Sequence, residues 1–239
     1  MSQSTAMSVF KDFFPPEIIT FVSDRSVDFV LKDDQTDLTR PQKKFFSKNT
    51  GLTLSSIVNV RQVHGNNVIV VKARPRIKEL LENADGIITN VPNLPIAIRT
   101  ADCLPIFLCD PKNQVIGVVH AGWRGIKKGI IAQALKAMKK DFHSRYQDVR
   151  VAIGPAIKSC CYRVGAEFNS HFPEETLKKD KGYYLDLVAV ARKQLFDLGV
   201  FPRNVYDSTI CTSCDKDYFS YRREGDAAGR MISLMMIRP

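Results

Sequence analysis

VIGVVHAGWRG, residues 115–125, joins a strand-like apolar run ending on His120 to a turn, Ala121-Gly122-Trp123-Arg124-Gly125, that opens a helical pattern. A strand that closes on a histidine and turns through glycines puts a reactive ring at the strand's C-terminal end and backbone N–H groups at a helix start. The turn also carries the only Trp of the chain and an Arg. Downstream, Ile126, Ile130, Ile131, Ala134, Leu135 and Met138 recur at helical spacing. Lys139 and Lys140 follow where a helix C-terminus favours cations, so one helix is predicted here.

Working upstream, apolar and polar residues alternate over 57–65 and break at Gly65-Asn66-Asn67, which places His64 at a strand end and leads into a strand over 68–71. Further strands are predicted over 84–89, over 95–100, which delivers Ala101-Asp102-Cys103, and over 104–109 before the Asp110-Pro111 turn. Residues 1–17 read as a loose lead-in ending near Pro15-Pro16, residues 18–22 and 27–31 as a hairpin, and residues 38–49 as a short helix ended by Gly51. Downstream lie a strand over 149–153, a helix over 186–198 with Asp186 as N-cap and Gly199 as C′ residue, and late strands at 205–206 and 231–237. Strands outnumber helices, and several are joined by connections too short for a helical crossover. The expectation is an α/β (α+β) fold: one domain over 18–239, with mixed sheets covered by a few helices.

Composition sets the class. In 239 residues, 44% are hydrophobic and 25% charged, as in ordinary globular domains. The net charge of +10 suits nucleic acid, anionic membranes or phosphate-bearing small molecules. The basic residues are dispersed in pairs such as Lys127-Lys128, so a generally basic, solvated surface is the plain reading. No run of about 18 apolar residues predicts a membrane span, and the N-terminus lacks the pattern of a secretory signal. A cytoplasmic protein is expected, with its six cysteines reduced.

His64, Cys103 and His120 all sit where strand-like runs end. Two His and one Cys suit a catalytic zinc site with an open fourth position, although their spacing is not that of a zinc finger. The same residues fit a Cys–His nucleophile pair, or ordinary packed side chains. Cys211-Thr212-Ser213-Cys214 is the only CxxC, and Cys160-Cys161 are adjacent rather than spaced two apart. That is half of a structural zinc motif, so unpaired reduced thiols are expected. Arg61, Arg99, Arg124, Arg222, Arg223 and Arg230 lie in turn-rich or strand-end segments, where a guanidinium can hold phosphate or form a surface ion pair. No GxGxxG or Walker pattern is present.

RQVHG (61–65), ADG (84–86), TADCLP (100–105), HAGWRG (120–125), IGP (153–155) with CCY (160–162), and SYRR (220–223) with Gly229-Arg230 stand in the order and approximate spacing of one family. The chain resembles the YfiH family, also called the laccase-domain or polyphenol oxidase family, from about residue 18 to its C-terminus. The resemblance implies a YfiH-like α/β domain with a zinc site made by His64, Cys103 and His120. It implies a purine nucleoside phosphorylase that splits adenosine, inosine, guanosine or methylthioadenosine with phosphate, and that also deaminates adenosine. Arg61 and Arg124, next to ligand blocks, are the expected phosphate or nucleoside binders, and Asp102 the expected ligand-orienting or proton-transferring carboxylate. Trp123 is expected to brace the turn. The family often has an acidic residue after Cys-Cys-Tyr, where this chain has Arg163.

Zinc is expected rather than copper, since four histidines do not furnish the several centres of a multicopper oxidase. Competing expectations are a Cys–His hydrolase or amidase with Cys103 as nucleophile, and a basic RNA- or protein-binding module. The expected partners are purine nucleosides and phosphate, with no nucleic acid or membrane, acting on a monomer or weak homodimer.

Overall fold

The computed structural model describes residues 9–10, 12–30, 38–50, 57–75 and 82–238. A six-stranded sheet at its centre has the order β11-β7-β5-β6-β3-β2. Its strands are β2 (Val68–Val71), β3 (Gly86–Thr89), β5 (Leu104–Asp110), β6 (Val115–Ala121), β7 (Arg150–Ile153) and β11 (Val205–Asp207). The β2–β3 and β11–β7 pairs are parallel and the rest antiparallel, which is the expected mixed sheet. A second sheet, of β1 (Ile18–Val22), β12 (Met231–Ile237) and β4 (Ile96–Thr100), packs on one face of the first. A small antiparallel sheet joins β8 (Arg163–Val164), β10 (Gly182–Leu185) and β9 (Thr176–Lys179).

The central strands are apolar throughout because both of their faces are covered. Ile87, Phe107, Cys109, Ile116 and Val118 point toward β4 and β12. Their neighbours Ile88, Ile106, Leu108, Val115 and Val119 point the other way, onto α3 (Ile130–Phe142) and α5 (Leu187–Asp197). The second sheet alternates likewise: Ile232, Leu234 and Met236 turn outward onto Phe21, Phe29 and Phe46, the last on α1 (Arg40–Thr50). The layers therefore run helix, sheet, sheet, helix. Among the described residues, no helix is long and apolar enough to cross a membrane.

Several expectations are corrected. Residues 9–10 and 12–17 are not loose: Val9, Phe10 and Phe14 are buried, and Phe10 meets Phe107 edge-on at 4.8 Å. Each such aromatic contributes about 1.5–3 kcal/mol by leaving water. The rest of the lead-in, residues 1–8 and 11, lies outside the described residues, as do Leu31 and the helix stop Gly51. Residues 18–22 and 27–30 form no hairpin. All of β1 pairs with β12 instead, and Phe29 is drawn down into the core with its N–H donating to Arg230 O at 3.0 Å. The helix after residue 122 is two helices, α2 (Trp123–Lys127) and α3, broken at Gly129, whose φ of 82° only glycine adopts without strain. Residues 57–61 form single bridges, from Val58 to Ile96 and from Arg61 to Asn83, rather than a strand. Asp186 caps α5 as expected, accepting from the Ala189 N–H at 2.9 Å, and Gly199 follows with φ of 96°. The short helices α4 (Phe168–His171) and α6 (Tyr221–Glu224) and the β8-β10-β9 sheet were not foreseen.

Candidate active site

Strand direction gathers the site. β2, β3 and β5 all run one way and β6 runs against them, so the starts of three strands lie beside the end of the fourth. Gly86 pairs with Val119, which sets Asp85 opposite His120; Leu104 pairs with Ala121, which sets Cys103 opposite Gly122. Cys103 lies in the short link from β4 to β5, where the chain passes from one sheet to the other. His64 arrives on the segment entering β2, in a bend with φ of 55°.

The ligand atoms of His64, Cys103 and His120 lie within 4.8 Å of one another, and the two imidazoles meet edge to face at 4.7 Å between centroids. Gly122 makes room: a Cβ there would lie 3.0 Å from Cys103 Sγ and 3.3 Å from His64 Cδ2. A Cβ on Gly125 would lie 2.8 Å from Gly65 O, so this glycine lets α2 press against the His64 loop. The sequence expectation that three separated residues form one cluster holds, with the correction that His64 ends a bridged extended segment and not a strand.

Asp85 organises the cluster, and sequence reasoning gave it no role. Its carboxylate, fully buried, accepts N–H bonds from His64 (3.0 Å), Gly65 (2.7 Å) and Val63 (3.3 Å), and from His120 Nδ1 (2.8 Å). The left-handed turn at His64 aims successive amides at one anion, a nest, while His120 Nδ1 is committed so that its Nε2 faces the cluster. The available signal was a carboxylate between small residues, Ala84 and Gly86, just ahead of a buried strand.

The electrostatics make an ion-ready site. Burial pushes the Cys103 thiol up, but the charge and hydrogen bonds of His120 and His64 outweigh this and draw it down to about 6. Burial likewise disfavours charged His120, yet the Cys103 thiolate and Asp85 lift it to about 9. Asp85 is lowered despite its burial, chiefly by the His120 and Gly65 hydrogen bonds. Near neutral pH the three residues therefore hold a thiolate, and a proton on His120 that a cation can displace. Two imidazoles and a thiolate, with a braced second nitrogen on one ring, fit a borderline-soft metal ion.

A cavity of about 850 Å³ opens beside the cluster. Arg61, Arg99, Arg124, Arg222 and Arg230 reach its wall, as do Trp123 and Tyr162. Of the six arginines singled out from sequence, only Arg223 turns away, donating to the carbonyls of Thr212, Ser213, Asp215 and Tyr218. Arg124 lies over the Trp123 ring at 4.6 Å, and Trp123 stacks on His171, so the turn is braced as expected. Arg163 stays out of the wall, its guanidinium lying against Gly182.

Arg99 differs from the others in its burial. It is buried in β4, and its Nε and Nη2 have no hydrogen-bond partner among the described residues. Burial alone lowers it to about 10, which leaves it cationic at neutral pH. An arginine amid the apolar strand Ile96–Thr100 was the sequence signal. Its backbone pairs reciprocally with Gln62: Gln62 Nε2 donates to Arg99 O at 2.7 Å, and Arg99 N–H to Gln62 Oε1 at 2.8 Å, which locks the His64 segment onto β4.

Asp102 turns toward the other side of the cavity. Both its oxygens are engaged elsewhere, by Thr212 Oγ1 (2.6 Å) and the Arg222 N–H (2.6 Å), and its φ of 92° is strained. It anchors the opposite wall of the cavity, and the carboxylate that holds His64 and His120 is Asp85.

A family model described as "Multi-copper polyphenol oxidoreductase laccase" matches residues 24–238. A purine nucleoside phosphorylase of Clostridium acetobutylicum is 39% identical over 165 residues, 66% of this chain and 69% of that one. The purine nucleoside phosphorylase YlmD of Geobacillus stearothermophilus is 32% identical over 219 residues, 85% and 80% of the two chains. Among solved structures, YfiH of Bacillus licheniformis superposes with a TM-score of 0.80 and 26% identity over 93% of each chain. The YlmD structure superposes with a TM-score of 0.82 at 24% identity, over 100% of this chain and 98% of that one.

Proposed function

This chain belongs to the multi-copper polyphenol oxidoreductase laccase family, which includes YfiH- and YlmD-like proteins, and on that premise we propose that it is a zinc-dependent purine nucleoside phosphorylase. Its substrates in this reading are adenosine, inosine, guanosine and methylthioadenosine, with adenosine deamination as a second activity. The names of its relatives support the reaction class. Arg99 carries the reading at this site: a buried guanidinium whose Nε and Nη2 have no partner among the described residues, on the wall of an arginine-lined cavity that the His64–Cys103–His120 cluster adjoins.

Phosphorolysis joins a phosphate oxygen to the ribose anomeric carbon and breaks that carbon's bond to the base, whose nitrogen keeps the electron pair. The enzyme must hold a dianion against the sugar and neutralise charge on the leaving base. Arg99, with Arg61 and Arg124, binds the phosphate; a buried cation gains most from an anionic partner because little water competes there. His64, Cys103 and His120 would hold the zinc ion, and Asp85 fixes the ring of His120 and the loop of His64. When bound, zinc supplies Lewis-acid stabilisation of charge, the chemistry that phosphorolysis and deamination share.

The several copper centres of a multicopper oxidase find little support in this chain's donors, since His64, Cys103 and His120 furnish a single His2Cys set. Beyond His64 and His120 the chain has two histidines: His143 ends α3, and His171 stacks on Trp123. Neither joins a cluster that suits copper, and the other potential metal group among the described residues is all cysteine.

A Cys–His hydrolase is the second reading, favoured by the lowered Cys103 thiol and the Asp85–His120 pair, which resemble a nucleophile, base and orienting acid. The deciding experiment incubates metal-assayed protein with each nucleoside, with and without phosphate, and separates free base from deaminated nucleoside. Phosphate-dependent base release is expected, with zinc bound at His64, Cys103 and His120. No base release from any nucleoside would reject the phosphorylase.

A further inference from the structure

The cysteines other than Cys103 and buried Cys109 converge at the same end of the central sheet as the His64 cluster, beyond the ends of β7 and β11. β7 and β11 run parallel, with Ile153 paired to Asp207, so the loops that follow them leave side by side. A bridge between Ala156 and Cys211 holds the loops together: the Ala156 N–H donates to Ile210 O at 3.2 Å and the Thr212 N–H to Ala156 O at 3.1 Å. The first loop carries Cys160 and Cys161, the second Cys211 and Cys214. Adjacent cysteines look like the wrong spacing in sequence, but the parallel pairing brings two short chain segments to one point.

The four Sγ atoms lie within 4.8 Å of one another, with Cys214 Sγ 3.6 Å from that of Cys160 and 3.2 Å from that of Cys161. A disulfide would bring two of them to about 2.05 Å. A tetrahedral zinc ion with Zn–S bonds of about 2.3 Å spaces its sulfurs about 3.8 Å apart, within the range this cluster occupies. Backbone N–H groups of Lys158, Cys214 and Ser213 lie near the Cys211 sulfur, as donors commonly do around metal-bound thiolates. Two cations lie on the adjoining backbone: Lys179 Nζ donates to Ser159 O at 2.9 Å and Arg222 Nη1 to Cys161 O at 3.3 Å.

We propose that Cys160, Cys161, Cys211 and Cys214 form a second metal centre, an all-cysteine zinc site separate from the His64–Cys103–His120 cluster. Binding exchanges the four thiol protons, lost to solvent, for one Zn2+, and the resulting net charge of about −2 faces Lys179 and Arg222. With four protein ligands the ion has no open position, so its role is structural. It fastens the cavity wall: Tyr162, beside Cys161, lines the cavity, and Thr212, beside Cys211, holds Asp102. The four thiols carry no disulfide, as expected, but they stand together as a cluster.

The test is metal analysis of protein purified with zinc under reducing conditions. The variant C160S/C214S is expected to carry one zinc fewer per chain than the wild type. The variant H64A/H120A, which keeps only the cysteine cluster, is expected to hold zinc in an all-sulfur shell at about 2.3 Å by X-ray absorption. Equal zinc in folded C160S/C214S and wild type would overturn the proposal, as would folded H64A/H120A without zinc. Disulfides among these four cysteines in the unreduced wild-type mass spectrum, in place of metal, would also overturn it. None of these readouts depends on nucleoside turnover, so failure of the phosphorylase reading leaves them intact.

Discussion

Replacing Asp85 by Asn tests whether one buried carboxylate assembles the His64–Cys103–His120 cluster. Oδ1 accepts from the His64 N–H and His120 Nδ1, and Oδ2 from the Gly65 and Val63 N–H groups. Asn keeps one acceptor oxygen and presents an NH2 group to the other pair of donors, which it cannot serve. A stranded buried donor costs about 1–3 kcal/mol. The Val63 contact, at 3.3 Å, is the weakest, so a total near 3 kcal/mol is expected from the two. Because the strained loop is the one that presents His64, much of this falls on metal binding, and about 1.4 kcal/mol is worth a factor of ten. Zinc affinity should drop up to about 100-fold, in line with other residues that orient metal ligands. Competition against a chromophoric chelator measures the affinity, and thermal melting of zinc-free protein measures the remaining stability loss. Folded D85N with zinc affinity within about threefold of the wild type would refute the reasoning.

Arg99→Met should raise the KM for phosphate about 10–100-fold, the worth of one or two charge-assisted hydrogen bonds, without lowering the melting temperature, because it removes a buried charge whose Nε and Nη2 have no partner among the described residues. A loss of stability with unchanged KM would mean that Arg99 is structural. Asp102→Ala strands Thr212 Oγ1 and the Arg222 N–H and should cost about 2–4 kcal/mol in denaturant unfolding while zinc at the His64 cluster is retained. Asp102→Gly should be the more stable of the two because it relieves the φ of 92°. Zinc affinity should rise with pH. Without metal, His120 is lifted to about 9 and Cys103 lowered to about 6, so between about pH 7 and 9 binding expels the His120 proton and leaves an existing thiolate. The expected gain is about tenfold per pH unit, read by chelator competition; a flat profile over that window would contradict the paired charges.

The cavity has two kinds of wall. One belongs to the central sheet, where hydrogen-bond register sets Asp85, His120 and Cys103 abreast. The other is built from the loops after β7 and β11 and from α6, held through Asp102, Thr212 and Arg222. Arg222 also reaches the carbonyls of Cys161 and Arg163, so the cysteine cluster and the cavity share one set of contacts.

Periodicity in the sequence determined the buried strands, the helices over α3 and α5, and the positions of His64, Cys103 and His120 at the ends of extended runs, because each of these features is local: apolar runs, a capping Asp186, and His or Cys beside small residues. It could not determine partners. β1 reads as half of a hairpin, yet pairs with β12 from the other end of the chain, since pairing is decided by which sheet edge needs covering. Asp85 reads as one more residue of the strand over 84–89 until β3 lies beside β6 and sets it against His120. Arg99 showed two buried nitrogens without a partner among the described residues only once β4 was enclosed. Cys160-Cys161 and Cys211-Cys214 are fifty residues apart and have no ligand spacing in common. Only the parallel pairing of β7 with β11 makes them one cluster, because metal geometry depends on distance in space, which sequence separation does not measure.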